Sequence, residues 1–249
     1  MIEGGRPGSV ARAIAWFGFA AGVASGVAAL LAGPAYRMQW VSLATAFLVL
    51  RWATFGALAA TVVASFAWVW LSVTRATRGR AVAAAAAMLG ILVAATPLYL
   101  YDQAQRLPKI HDISTDTDDP PSFVDVLPQR LGARNPVEYK PETAIEQKRG
   151  YPDIVPLRLD VAPAEAFERA ERAARAMGWQ IVAASPDALR IEATDTTLFF
   201  GFKDDIVIRV HPQPQGSVVD VRSLSRIGGS DIGANARRVR AYLSRLAAD

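Results

Sequence analysis

The chain is predicted to be an α-helical membrane anchor followed by an α+β domain: three transmembrane helices, then a curved, mainly antiparallel sheet of five to six strands with two helices on one face. Three observations carry this prediction. Hydrophobic residues make up 52% of the 249 residues, and the first hundred contain three nearly unbroken apolar stretches of about 20 residues, the length that crosses a bilayer core. Residues 1–101 hold seven of the 27 basic residues and one of the 23 acids, so most of the charged side chains belong to residues 102–249. Beyond residue 156, period-two and helical patterns alternate with turn signals.

The apolar stretches are 13–33, 52–73 and 81–101. The first has only Ser25 as a polar side chain, and Trp68, Trp70, Tyr99 and Tyr101 lie towards the ends of the other two, where aromatic rings favour the interface. Gly22, Gly26 and neighbouring alanines permit close helix packing. Residues 41–50 are too short to span and end at Arg51, so an interfacial or re-entrant helix is expected there, with a longer, tilted second span as the alternative. Arg75, Arg78 and Arg80 crowd the short loop 74–80, which places that loop in the cytoplasm together with Arg6 and Arg12. Residues 102–249 then lie outside. A cleaved signal peptide ending near Ala32-Gly33-Pro34-Ala35 is the rival reading of the first stretch.

Eight of the 15 prolines fall in 102–156. Proline removes a backbone donor and restricts its predecessor, so this segment is expected as an extended linker that docks on the domain through Ile110, Ile113, Phe123, Val124, Val126, Leu127 and Tyr151. The exported domain, 157–249, opens with alternation at 157–161. A helix follows over 163–177, begun by Pro163 and stopped by Gly178. Strands are expected at 179–184, 189–194, 198–202, 206–211 and 217–225, and a last helix after Asp231 buries Ile232, Ala236, Val239, Leu243 and Leu246. With both helices on one face, the other face carries Arg158, Asp160, Arg190, Glu192, Arg209, His211, Asp220, Arg222 and Arg226. It reads as a solvated face of paired charges or as an arginine platform for an anion.

Several segments together resemble a known family. They are Ile110-His111-Asp112-Ile113-Ser114-Thr115-Asp116 with Pro120-Pro121-Ser122-Phe123, then Tyr151-Pro152, Asp204-Asp205-Ile206-Val207-Ile208-Arg209-Val210, Val219-Asp220-Val221-Arg222-Ser223-Leu224-Ser225-Arg226, and Ser230-Asp231-Ile232-Gly233-Ala234-Asn235-Ala236. In this order they resemble the domain-of-unknown-function family 1499 from about residue 110 onwards, behind an N-terminal multi-helix anchor. The resemblance implies no activity and transfers no catalytic residue.

The charges argue against nucleic acid as a partner, since residues 102–249 hold 20 basic against 22 acidic residues. The chain has no cysteine, which excludes disulfides, thiolate nucleophiles and cysteine-ligated metals. His111 and Asp112, with Asp116, Asp118 and Asp119, suggest a hard-metal or ligand cluster, yet no EF-hand spacing completes it and a solvated acidic turn is the simpler reading. The turn Gly228-Gly229-Ser230-Asp231 before a helix lacks the spacing of a nucleotide fingerprint. Arg222, Arg226, Asn235 and Arg238 are expected to converge there as an anion or partner site, with an N-cap and turn-bonding role as the alternative. Leu198-Phe199-Phe200-Gly201-Phe202 reads as core, or as a tip touching membrane or a partner. No catalytic residue, metal or cofactor is assigned.

The expectation is a membrane-anchored, envelope-facing binding or assembly module that contacts a partner protein or anionic envelope ligand. Its partners would be the lipid bilayer and a membrane or envelope protein. It would sit in a bacterial plasma (inner) membrane, N-terminus cytoplasmic and domain periplasmic or extracytoplasmic. An enzyme acting on lipid or cell-wall substrates, and an accessory subunit of a transport complex, are the alternatives.

Overall fold

Residues 7–248 are described in a computed structural model of the chain, which divides into two units, 1–102 and 103–249. Glu3, Arg6 and Asp249 lie outside the described residues. The first unit is built on α1 (Pro7–Arg37), α2 (Leu43–Val73) and α3 (Arg80–Arg106), the last of which ends four residues into the second unit. All three are long and apolar enough to cross a membrane.

Small residues decide how these helices meet. On α2, Ala53, Ala57, Ala60, Ala64, Ala67 and Leu71 are buried, and their 4-3-4-3-4 spacing forms one stripe along a helix. The opposite side shows Val62, Phe66 and Val69 outward, an apolar surface that lipid accepts and water does not. Gly90 of α3 lies against α2 so closely that a Cβ there would fall 2.5 Å from the Ala57 carbonyl oxygen. Thr61 keeps its hydroxyl satisfied inside this contact by donating to that same carbonyl (2.9 Å).

The short segment 41–50 is not a separate interfacial helix. Ser42 caps α2, its side chain accepting from the Thr45 N–H at 3.1 Å, and the helix runs unbroken from Leu43 to Val73. Nothing in 43–51 removes a donor or forces a turn, so propagation continues. Thirty-one residues make about 46 Å of helix, more than the hydrocarbon core requires. Arg51 lies within this helix, its guanidinium 5.8 Å from the Phe55 ring centroid.

The second unit is an open six-stranded antiparallel sheet in the order β1-β6-β5-β4-β3, with β2 also on the outer edge of β6. The strands are β1 (Asp112–Ser114), β2 (Leu157–Leu159), β3 (Gln180–Ser185), β4 (Arg190–Thr196), β5 (Lys203–Pro212) and β6 (Ser217–Ser225). The helices α5 (Pro163–Ala176) and α6 (Ala234–Ala247) pack on one face. Their stripes, Ala166, Phe167, Ala170, Ala173 and Ala174 on one, Ala236, Val239, Tyr242 and Leu246 on the other, meet Ile191, Ala193, Ile206, Ile208, Val219 and Val221. Trp179 stacks on Tyr242 at 5.1 Å.

Two expectations change here. Residues 102–156 hold β1, a 3-10 turn (Leu127–Arg130) and α4 (Pro141–Gly150), so they form part of the fold and are more than extended chain. The strand expected at 198–202 is absent: residues 197–202 are the connection between β4 and β5. Gly201 has φ +68°, and the Thr197 hydroxyl accepts from the Phe202 N–H at 2.9 Å, so the chain reverses within an apolar run that its composition alone reads as a strand.

Candidate functional site

Strand alternation puts Asp112 on β1, Glu192 and Thr194 on β4, Asp205, Val207 and Arg209 on β5, and Asp220, Arg222 and Leu224 on β6 on the face away from the helices. That face is not open. Residues 115–139 cross it, with Phe123 and Val126 packed against Val207 and Leu224, and the polar side chains of the sheet bond this covering segment. Glu192 is fully buried and its carboxylate accepts from the N–H groups of Val124 (2.8 Å) and Val126 (2.9 Å).

Arg222, only 3% exposed, is the centre of this layer. Its Nε and Nη2 donate to the two oxygens of Asp112 at 3.0 and 2.8 Å, the two-pronged geometry that guanidinium offers a carboxylate. Nη1 donates to the Pro121 carbonyl (3.1 Å) and Nη2 to that of Val137 (2.6 Å). The rings of Phe123 and Tyr139 lie 5.1 and 5.3 Å from the guanidinium. Burial still pushes the Asp112 carboxyl above its ordinary range, against the pull of Arg222. Asp205, also fully buried, accepts from Arg226 through both oxygens (2.9 and 2.7 Å), from Arg130, and from the Thr194 hydroxyl at 2.7 Å. Arg226 also reaches the Gln129 carbonyl at 2.7 Å.

Asn235 and Arg238 lie on the other side of the sheet. Arg238 donates to Asp204 (2.6 Å) and Asp195 (2.9 Å) and to Asn235 Oδ1. Asn235 bonds Ser223 Oγ (2.7 Å), Ser225 Oγ (3.0 Å) and the His111 carbonyl (3.0 Å). The four residues expected to converge are therefore divided by the sheet, because 222 and 223 on one strand face opposite ways. Asp231 accepts from the N–H groups of Gly233 (2.9 Å) and Asn235 (2.6 Å), which closes the start of α6 with a carboxylate of the fold's own.

His111 and Asp112 likewise part. The Nδ1 of His111 is enclosed without a hydrogen-bond partner among the described residues, while Asp112 turns to Arg222. The acidic turn closes on itself: Asp116 accepts from the N–H groups of Asp118 (3.0 Å) and Asp119 (2.9 Å), Asp118 pairs with Lys148 at 2.8 Å and Asp119 with Arg209 at 3.0 Å. Among the described residues no three histidine or acidic side chains are placed to hold a metal ion.

Sequence reasoning missed Asp205, Arg130 and Gln147. Gln147 of α4 is 1% exposed. Its Nε2 donates to the Ser114 carbonyl (2.5 Å) and its Oε1 accepts from the Ser114 N–H (2.9 Å), so one side chain finishes the exposed edge of β1 as another strand would. Beside it a groove of about 430 Å³ is lined by Thr115, Asp116, Asp118, Lys148, Tyr151 and Pro152, among others. None of the four residues expected to converge lines it.

Residues 112–246 match the family model described as a protein of unknown function, DUF1499. That is more than half of the chain. No curated protein matches.

Proposed function

We propose that this chain, which belongs to the DUF1499 family, is a membrane-anchored binding or assembly module whose C-terminal domain faces the cell envelope and contacts a partner protein or an anionic envelope ligand. The observation that carries this reading is the shortness of the tether. Five residues, 107–111, join α3 to β1, and two of them, Leu107 and Ile110, pack with the domain's own core. A domain so held works within a few nanometres of the bilayer at most. Its buried arginines are matched by its own carboxylates, which makes a rigid body with binding left to its surface and to the groove beside Lys148.

Arg75 and Arg78 between α2 and α3, with Arg80 at the start of α3, support a cytoplasmic position for that loop. The domain then belongs on the outer side of a bacterial inner membrane. The test is affinity purification of the full chain from native membranes, in parallel with Lys148→Glu. A stoichiometric partner or co-purifying anionic ligand that the variant loses supports the reading. Turnover of lipid or cell-wall substrates by the full chain alone replaces it with the enzyme reading.

A further inference from the structure

One end of the sheet differs from the other. Asp112 of β1 stands opposite Leu224 of β6, Leu224 opposite Asp205 of β5, and Asp205 opposite Thr194 of β4. The residues just beyond this row lie at one end: His111, where the chain arrives from α3; Arg226; and the 197–202 connection between β4 and β5. The turn after the 3-10 helix reaches the same end, since the Arg134 N–H donates to the Arg226 carbonyl at 2.9 Å. Among the large apolar side chains of the described domain, Leu131 (88%) and Leu198 (87%) are the most exposed, and both belong to this end, with Phe199 beside Leu198. Exposed Lys109, Arg134 and Lys203 accompany them. The far end is made of the turns at 186–189 and 213–216, which expose Pro186, Asp187, Gln213, Pro214 and Gln215.

Neighbouring strands are about 4.8 Å apart, so β5 is about 10 Å from β1, and the connection 107–111 spans at most about 18 Å. The apolar end is thus the end from which the chain departs towards α3, and its tips lie within a short reach of that point. Leucine and phenylalanine among lysine and arginine is the composition that enters a headgroup layer, with the ammonium and guanidinium groups meeting anionic lipid. We propose that this end of the domain rests on the lipid surface, with Leu131, Leu198 and Phe199 inserted among the headgroups. The proposal rests on α1–α3 being embedded in the same bilayer. The bound surface fixes which way the domain faces and leaves its far end for other contacts.

The chain has no cysteine, so single Leu198→Cys, Leu131→Cys, Gln215→Cys and Val62→Cys substitutions each give one site for an environment-sensitive fluorophore. All four positions are exposed, so the fold tolerates them. The full-length variants are reconstituted in phosphatidylcholine vesicles, with and without phosphatidylglycerol, containing lipids brominated near the headgroup. The labels at 198 and 131 are expected to be quenched severalfold more than that at 215, and more strongly with phosphatidylglycerol at low salt. Quenching at 198 and 131 no greater than at 215, with the Val62 label in lipid, overturns this proposal alone. A Val62 label that lipid does not reach overturns the anchor and this proposal together.

Discussion

Arg222 has five N–H donors and no means of losing its charge; inside the fold four directions are taken by Asp112, Pro121 and Val137. Removing it leaves Asp112 buried without its ion-pair partner, so Arg222→Ala is expected to cost about 3–5 kcal/mol in urea unfolding. Lysine cannot reproduce the fork, so Arg222→Lys should recover only a minor part. Asp231 makes a different prediction. Burial pushes its carboxyl up, and the two N–H groups it accepts from oppose this only in part. A folded-state pKa above the unfolded one means the native protein holds the proton more tightly, so stability falls as pH rises from the unfolded range, about 4, through the raised value. Asp231→Asn keeps an acceptor and has no charge to bury. Its stability relative to wild type should therefore improve as pH rises above about 4, and a constant difference would contradict the assignment. Which side of the sheet Arg222 occupies was legible from its alternation with Val221 and Ser223. What covers it was not, because Asp112 lies 110 residues away and Pro121 carries no local signal of its landing place.

At the scale of elements, α4 and the β4–β5 connection show where local pattern succeeds and fails. Pro141 at the first turn, Glu142 beside it and Lys148 and Arg149 in the last turn follow the ordinary rules of helix ends, and the eight prolines of 102–156 concealed them. The pairing of Gln147 with Ser114 ties this helix to that edge. Gln147→Ala is expected to cost about 1–3 kcal/mol and to speed proteolysis between 112 and 150; unchanged cleavage would show that the edge needs no cover. Leu198–Phe202 failed for the opposite reason: hydrophobicity and aromatic content describe a strand equally well, and only Gly201 with φ +68° marks the reversal. In the first unit, Gly90→Val should separate α2 from α3, since even a Cβ would meet Thr61 Oγ1 at 2.2 Å. Crosslinking between engineered cysteines on the two helices checks this, and full crosslinking in the variant would contradict it.

For the whole molecule, composition carried the division of labour. Apolar length defined the three helices, charge was confined mostly to residues 102–249, and the ordered motifs from residue 110 identified the family. The domain begins earlier than its regular pattern suggests, because Leu107, Ile110 and Ile113 join the core of a sheet whose other strands start at 157. No binding surface was legible, since Arg190, Arg209, Arg222 and Arg226, read as paired charges of a solvated face or as a platform for an anion, each have a carboxylate within the fold. The proposed function requires that the three helices deliver this domain to the envelope side of the membrane. Reporter fusions measure that directly. A phosphatase that folds only outside the cytoplasm should be active when fused at the C-terminus and inactive when fused near Thr77, in the loop between α2 and α3. Activity at Thr77 with silence at the C-terminus would contradict the orientation and the function proposed from it.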